Sequence, residues 1–279
     1  MKPFSICPLL KLCASGTEHP MPIFSLRHRT LYTYTEKVAS SVNQARIRPR
    51  DLPGQRLMSF EICTKSRVDI LWSNQSEPPQ SPAWEEVADL LRDPNTPELQ
   101  DALQFALESS MVRAFPDLEN YARQSFRPGR PLGEAAFHLM NRFKRDFRFM
   151  PGSTSLKTTL EMVFQTRCGV CQDFTHLMLG CLRSLGLAAR YVSGYLETDA
   201  APGTQKLTGT DASHAWVSVF LPGKGWLEYD PTNNVLPGPR HITLAWGRDF
   251  SDISPLRGVI YGGGTQTLKV EVDVMREAV

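Results

Sequence analysis

The chain lacks any apolar run near the roughly 20 residues a helix needs to cross a bilayer, so no membrane partner is expected. It also lacks a charge excess: 31 Lys and Arg face 29 Asp and Glu, a formal net charge of +2. That balance excludes the broad basic surface by which chains hold nucleic acid. The one short basic run, Arg46–Arg50 (RIRPR), reads as a solvated strand edge. Cysteine is sparse: the six, at 7, 13, 63, 168, 171 and 181, do not form a secreted disulfide framework and point to a reducing, cytoplasmic setting. No second cysteine pair complements Cys168 and Cys171, which excludes a four-cysteine zinc site. Asp249 and Asp252 are too few for a calcium loop. No metal and no cofactor is expected, and there is no internal repeat.

What is present is the composition of an ordinary soluble globular protein, 41% apolar and 22% charged. Residues 1–20 read as an upstream extension, disordered, with Met21 as a natural start; their short apolar part is interrupted by Lys11, unlike a secretory leader. Residues 21–80 read as a truncated β-rich domain. In 23–34 (IFSLRHRTLYTY) Phe24, Leu26, His28, Thr30, Tyr32 and Tyr34 alternate with arginines, the period of a half-buried strand, and one or two more strands lie in 55–72. The proline-bearing stretch 73–82 is a linker. Residues 81–279 read as an α+β catalytic region with a helical lead-in to about 150, broken at 94–97 and 128–131. Ala136, Met140, Phe143 and Phe147 share one helix face. Thr158 and Glu161 have capping-box spacing for a short helix through Gln165. The alternating run Leu268–Val274 suggests a last strand.

The chemistry concentrates after residue 165. Phe174, Leu177, Met178, Cys181, Leu182 and Leu185 define an amphipathic helix closed by Gly186, and Cys171 stands at its N-terminal end. Unpaired N–H groups there favour a thiolate and can hold an oxyanion. Gly169 would let the backbone turn sharply just upstream. Position alone leaves nucleophile and structural cysteine both open, and Cys168–Cys171 also has the spacing of a redox dithiol, although a helix rather than a strand precedes it. A thiol nucleophile needs an imidazole, and that imidazole an orienting group. Of six histidines, His214 has the best context, near the start of a strand with Trp216 on the same face, after the loop 197–212. His176, five residues after Cys171, points off the apolar stripe and reads as a surface or supporting residue. Asp230 ends the second strand of the hairpin 213–230 and is followed by Pro231. A four-residue turn at 222–225 would pair Val217 with Asp230 and put His214 and Asp230 on opposite faces; a one-residue bulge at Gly223 or Gly225 would restore the phase. Trp216, Trp226 and Trp246 read as an aromatic wall or as core.

The segment QTRCGVCQ (165–172) resembles papain-type proteases, in which a glutamine six residues before the nucleophile donates to the oxyanion; the match implies that role for Gln165, with Gln172 beside it. Three longer blocks, GVCQDFTHLMLGCLRSLGLAARYVSGYL (169–196), SHAWVSVFLPGKGWLEYDPTNN (213–234) and HITLAWGRDFSDISPLRGVIYGGG (241–264), resemble bacterial members of the transglutaminase-like superfamily. Upstream, residues 142–167 and 28–50 extend the likeness to the approach to the nucleophile and the start of an N-terminal β domain.

The resemblance implies a papain-like core, with the nucleophile helix packed on an antiparallel sheet. It implies Cys171 as nucleophile, His214 as base and Asp230 as orienter, acting on amide or peptide bonds of a protein or peptide substrate through a thioester. The alternatives are a non-catalytic scaffold for protein contacts and a cysteine protease. Two features depart from relatives: Cys168 stands where a polar residue is expected, and QRLMSFEI (55–62) nearly touches KSRVDI (65–70), where relatives run through further strands.

Overall fold

A computed structural model describes residues 22–34, 38–61, 65–71, 77–155, 157–198, 213–254, 256–262 and 265–277. The expected extension 1–20 and most of the loop 197–212 lie outside the described residues.

Alternation in the first segment produces β1 (Ile23–Tyr34), with Phe24, Leu26 and His28 buried and Arg27 exposed. β2 (Val38–Ala45), β3 (Gln55–Glu61) and β4 (Lys65–Ile70) follow. The lead-in forms α1 (Trp84–Arg92), α2 (Pro97–Leu103), α3 (Pro116–Arg123) and α4 (Leu132–Asp146). Prolines at the first turns of α2 and α3 cost no hydrogen bond there. Ala136, Met140, Phe143 and Phe147 are all buried. α5 (Leu160–Thr166) starts one residue later than its sequence suggests. Thr159, not Thr158, accepts the Met162 N–H, while Thr158 accepts from Ser155 N.

A two-residue parallel bridge joins β5 (Arg148–Phe149) to β6 (Cys168–Gly169), immediately before α6 (Cys171–Arg183). β7 (Ala189–Leu196), β8 (Ser213–Leu221), β9 (Gly225–Tyr229) and β10 (His241–Gly247) form an antiparallel sheet in the order β10-β7-β8-β9. α6 packs against β7 and β8 of this sheet. The one-turn α7 (Phe250–Ile253), β11 (Leu256–Gly262) and β12 (Gln266–Arg276) complete the order.

β11 and β12 do not extend the sheet β10-β7-β8-β9. β12 pairs along β1 to give the sheet β12-β1-β4-β3, and β11 pairs with β2. Residues 256–276 thus complete the strands of the N-terminal region from the far end of the chain. Side chains tie the two sheets together. His28 Nδ1 meets the Tyr195 hydroxyl at 2.5 Å, and the Gln55 amide bonds both the N–H and the C=O of Thr243, at 2.8 Å each, as a neighbouring strand would.

Candidate active site

α6 begins at Cys171 because Asp173 folds back: its Oδ2 accepts from the Val170 N–H at 2.8 Å and from the Thr154 hydroxyl at 2.6 Å. A Cβ on Gly169 would come within 2.9 Å of Asp173. Glycine is needed here for close approach; its φ is not in the left-handed region. Cys171 is therefore half-buried at a capped helix N-terminus. Cys168 and Cys171 are both free thiols, and Arg148 lies 3.7 Å from Cys168 Sγ. Cys181, wholly buried on the core side of α6, has its thiol pushed up to about 12 by burial. It is packing.

The β8–β9 turn differs from the sequence expectation. It uses only 222–224, so Leu221 pairs with Gly225 and Val217 with Tyr229, and no register shift interrupts the ladder. Gly223 and Gly225 take φ +73 and +81, the left-handed region that glycine enters without strain. Continuing the register puts Asp230 across from Trp216, so His214, Trp216 and Asp230 share a face without a bulge.

His214 Nε2 lies 2.7 Å from Asp230 Oδ2, with 9% and 0% of the two residues exposed. Burial lowers the proton affinity of His214, but the Asp230 charge and hydrogen bond, together with a hydrogen bond to Cys171, outweigh it and raise it well above an ordinary imidazole. With Nε2 on Asp230, Nδ1 is the nitrogen left for Cys171. Burial works against the Asp230 carboxylate, yet His214 and His241 hold it well below the usual range. Its Oδ1 accepts from the backbone N–H groups of Thr232 and Asn233, at 3.0 and 3.1 Å. Its Oδ2 also receives Asn233 Nδ2 at 2.7 Å and faces His241 Nε2 at 3.2 Å. Gly238 N donates to His241 Nδ1, which leaves Nε2–H to donate to Asp230.

Asn233 and His241 were missed from sequence. Asn233 sits three residues after Asp230, the spacing of a local side-chain turn, and was legible in principle; His241 arrives from β10 and was not. Among the described residues, His214, Asp230 and His241 are also the one group whose donor atoms could surround a metal ion, all within 4.8 Å of one another. They are hydrogen-bonded to one another as they stand, and both imidazoles would have to give up those bonds to a metal.

The remaining candidates are placed as follows. Trp216 is 0% exposed, and its Nε1 donates to Glu228 at 2.9 Å; its ring lies against His241. Burial pushes Glu228 up to about 7, against the Trp216 hydrogen bond and Arg190. Gly194 carries no Cβ because one would overlap Trp216 and the Ile242 carbonyl. Gln165 is exposed on the last turn of α5 and is not among the groups bonded to His214 or Asp230. Gln172 is half-buried and lines a cleft of ≈ 410 Å³ with Asp173, His176, Arg113, Lys157 and Glu161. His176 is not a surface residue. It is 4% exposed, packs on Tyr191 with ring centroids 5.0 Å apart, and accepts the Phe250 N–H at Nε2. α6 is buried on both sides, which its single apolar stripe does not reveal. Asp249 caps α7, and Asp252 pairs with Arg248. Trp226 and Trp246 are partly buried against the hydrophobic core, and both rings lie near the Arg190 guanidinium, at 4.2 and 4.3 Å.

Comparison with known proteins agrees with this architecture. The profile of the transglutaminase-like superfamily matches residues 119–231, and that of the bacterial transglutaminase-like N-terminal region matches 24–75. An uncharacterized protein of Mycobacterium tuberculosis is 34% identical, with 95% of each chain covered. The alignment spans 318 positions, more than this chain has, so the relative carries residues absent here. A protein-glutamine gamma-glutamyltransferase of Pseudomonas aeruginosa is 34% identical over 103 residues, 36% of this chain and 15% of that protein. The crystal structure of a candidate cysteine protease from Cytophaga hutchinsonii superposes with a TM-score of 0.60 at 16% identity, covering 94% of this chain and 92% of the other. That likeness speaks for the fold. Among the described residues, no helix is long and apolar enough to cross a membrane.

Proposed function

The chain belongs to the transglutaminase-like superfamily, and we propose that it is a thiol-dependent acyl-transfer enzyme acting on amide bonds of a protein or peptide. The observation that carries this reading is one imidazole, His214, held at 2.7 Å by a buried carboxylate, its proton affinity raised by Asp230 and by Cys171 at a helix N-terminus. A scaffold needs no such arrangement.

In the proposed reaction, Cys171 Sγ gives its proton to His214 Nδ1 and attacks the carboxamide carbon. The carbonyl π pair moves to oxygen, and the N-terminal amides of α6, with the Cys171 N–H first, hold that oxyanion. The pair returns, the C–N bond breaks, and the amine leaves with the proton from His214. The thioester is then attacked by water or by an amine, which loses its proton to His214. Collapse frees an acid or a new amide and returns the thiol to its starting state. Asp230 keeps the imidazole oriented and stabilises its charged form throughout. Hydrolysis and transfer use the same residues; the cleft's openness to water and to amines decides between them. The name of the Pseudomonas relative makes glutamine carboxamides the first substrates to try.

The test is ammonia release from a glutamine-containing protein such as casein, with and without an added primary amine, alongside alkylation of Cys171. Cys171→Ala should abolish both signals, and His214→Ala should remove turnover and slow alkylation near neutral pH. Turnover that survives in either variant, or alkylation unaffected by His214→Ala, would refute the proposal.

A further inference from the structure

The basic run Arg46–Arg50 is not a strand edge. Residues 46–50 follow β2 as extended chain and form one wall of a second cavity, ≈ 510 Å³, whose other wall is the β10 edge and the segment after it, from Leu244 to Arg248. The cavity contains four arginines, Arg46, Arg48, Arg50 and Arg248, against two carboxylates, Asp101 and Asp252. Both carboxylates are engaged within the protein. Asp252 takes Arg248 in a two-point ion pair at 2.9 and 3.1 Å and its carbonyl accepts from Arg46, while Asp101 accepts from Gln104. Arg48 and Arg50 have no hydrogen-bond or carboxylate partner for their guanidinium groups among the described residues.

Arg50 is nonetheless held in place. Its guanidinium lies 4.1 Å over Trp246, the same ring is 4.3 Å from the Arg190 guanidinium, and Arg190 is in turn 4.2 Å from Trp226. The alternation Arg50, Trp246, Arg190, Trp226 is a cation–π stack rooted in the β7–β10 sheet. The buried Arg190 Nε has no acceptor, and the carboxylates of Glu228 and Asp101 act on this guanidinium only through their charge. The contact with the indole leaves the Arg50 N–H groups without a protein acceptor among the described residues. The fixed guanidinium fork matches the spacing of two oxyanion oxygens. A concave wall of low dielectric focuses the excess positive charge into the cavity.

We propose that this cavity is an oxyanion-binding site, taking a ligand with at least two carboxylate or phosphate groups through Arg48 and Arg50. The site is separate from Cys171 and does not depend on the acyl-transfer reading.

The experiment is calorimetric titration of the full chain with pyrophosphate and with citrate at low ionic strength, using wild type and the Arg48→Gln/Arg50→Gln double variant. Both side chains are exposed, so the double variant should fold, which near-UV circular dichroism checks. Saturable binding of one or both probes, weakened at least tenfold in the double variant, is the expected result. Pyrophosphate alone would identify phosphates as the source, and citrate alone carboxylates; equal binding would indicate charge density as the selector. Arg48→Gln alone, which leaves the Arg50–Trp246 stack intact, should give an intermediate loss and separates loss of the ligand's partner from loss of the stack. No saturable binding of either probe to wild type, or unchanged binding in the double variant, would overturn the proposal.

Discussion

Two buried histidines, one within α6 and one on the strand packed against it, behave in opposite ways. His214, on the sheet side of the N-terminal end, has a carboxylate at 2.7 Å and holds its proton far more tightly than free histidine. His176, within the helix, packs on Tyr191, accepts an amide N–H, and is pushed down to about 4, by burial above all. Burial disfavours the charged imidazole at both positions; Asp230 in direct contact, with Cys171, reverses the outcome at His214, whereas the charge of Asp249 does not at His176. The difference separates an imidazole bonded to a carboxylate from a packing group, and composition or exposure alone would not have told them apart.

The most forceful way to break the comparison is Asp230→Asn. Removing the charge should turn His214 into a second His176, its NMR titration falling below that of free histidine. Amide turnover should drop on the order of 10⁴-fold, as when a triad carboxylate is neutralised. Turnover within tenfold of wild type would show that His214 needs no charged orienter.

Next in size is a pH effect on stability with opposite signs at the two sites. His176 binds its proton less tightly when folded than unfolded, so its contribution is present above about pH 6.5 and is lost as pH falls toward 4, worth roughly 3 kcal/mol over that interval. His214 is raised, so its contribution is complete below about pH 6.5 and fades as pH rises through its folded value. Urea unfolding from pH 4 to 7 should show stability increasing with pH in wild type and a flatter profile in His176→Gln. An unchanged slope would contradict the assignment. The smallest effect is expected from His241→Phe, which removes one donor of about 1 kcal/mol from Asp230 and should lower turnover about fivefold while leaving the His176 slope intact.

The residues of the candidate site were legible where the signal was local. Cys171 was marked by the apolar spacing of α6, His214 by a strand and Asp230 by the proline after it. The hairpin register was misjudged by one residue, because whether Gly225 belongs to the turn or the strand depends on positive φ angles at both glycines, which the sequence permits without dictating. The surface alternative for His176 fails because a one-face apolar pattern does not report a helix covered on both sides. The arginine cavity needed the approach of 46–50 to β10, nearly 200 residues apart, and no local pattern announces it. The same limit hid the pairing of β11 and β12 with the first strands of the chain.

That last pairing governs the order in which the molecule can be finished. About 230 residues separate Tyr34 from its partner Gln266, and a ribosome adding ~5–20 residues per second needs on the order of 10–50 seconds to cover them. The sheet β10-β7-β8-β9, whose strands are close neighbours in sequence, can assemble during that interval, while β1 waits with one edge open. The seam between β1 and β12, closed at its outer end by the Glu277 N–H on the Ile23 carbonyl, is then a late event in the birth of each copy. Until it closes, an exposed strand offers itself to any neighbour in the cell that can pair with it.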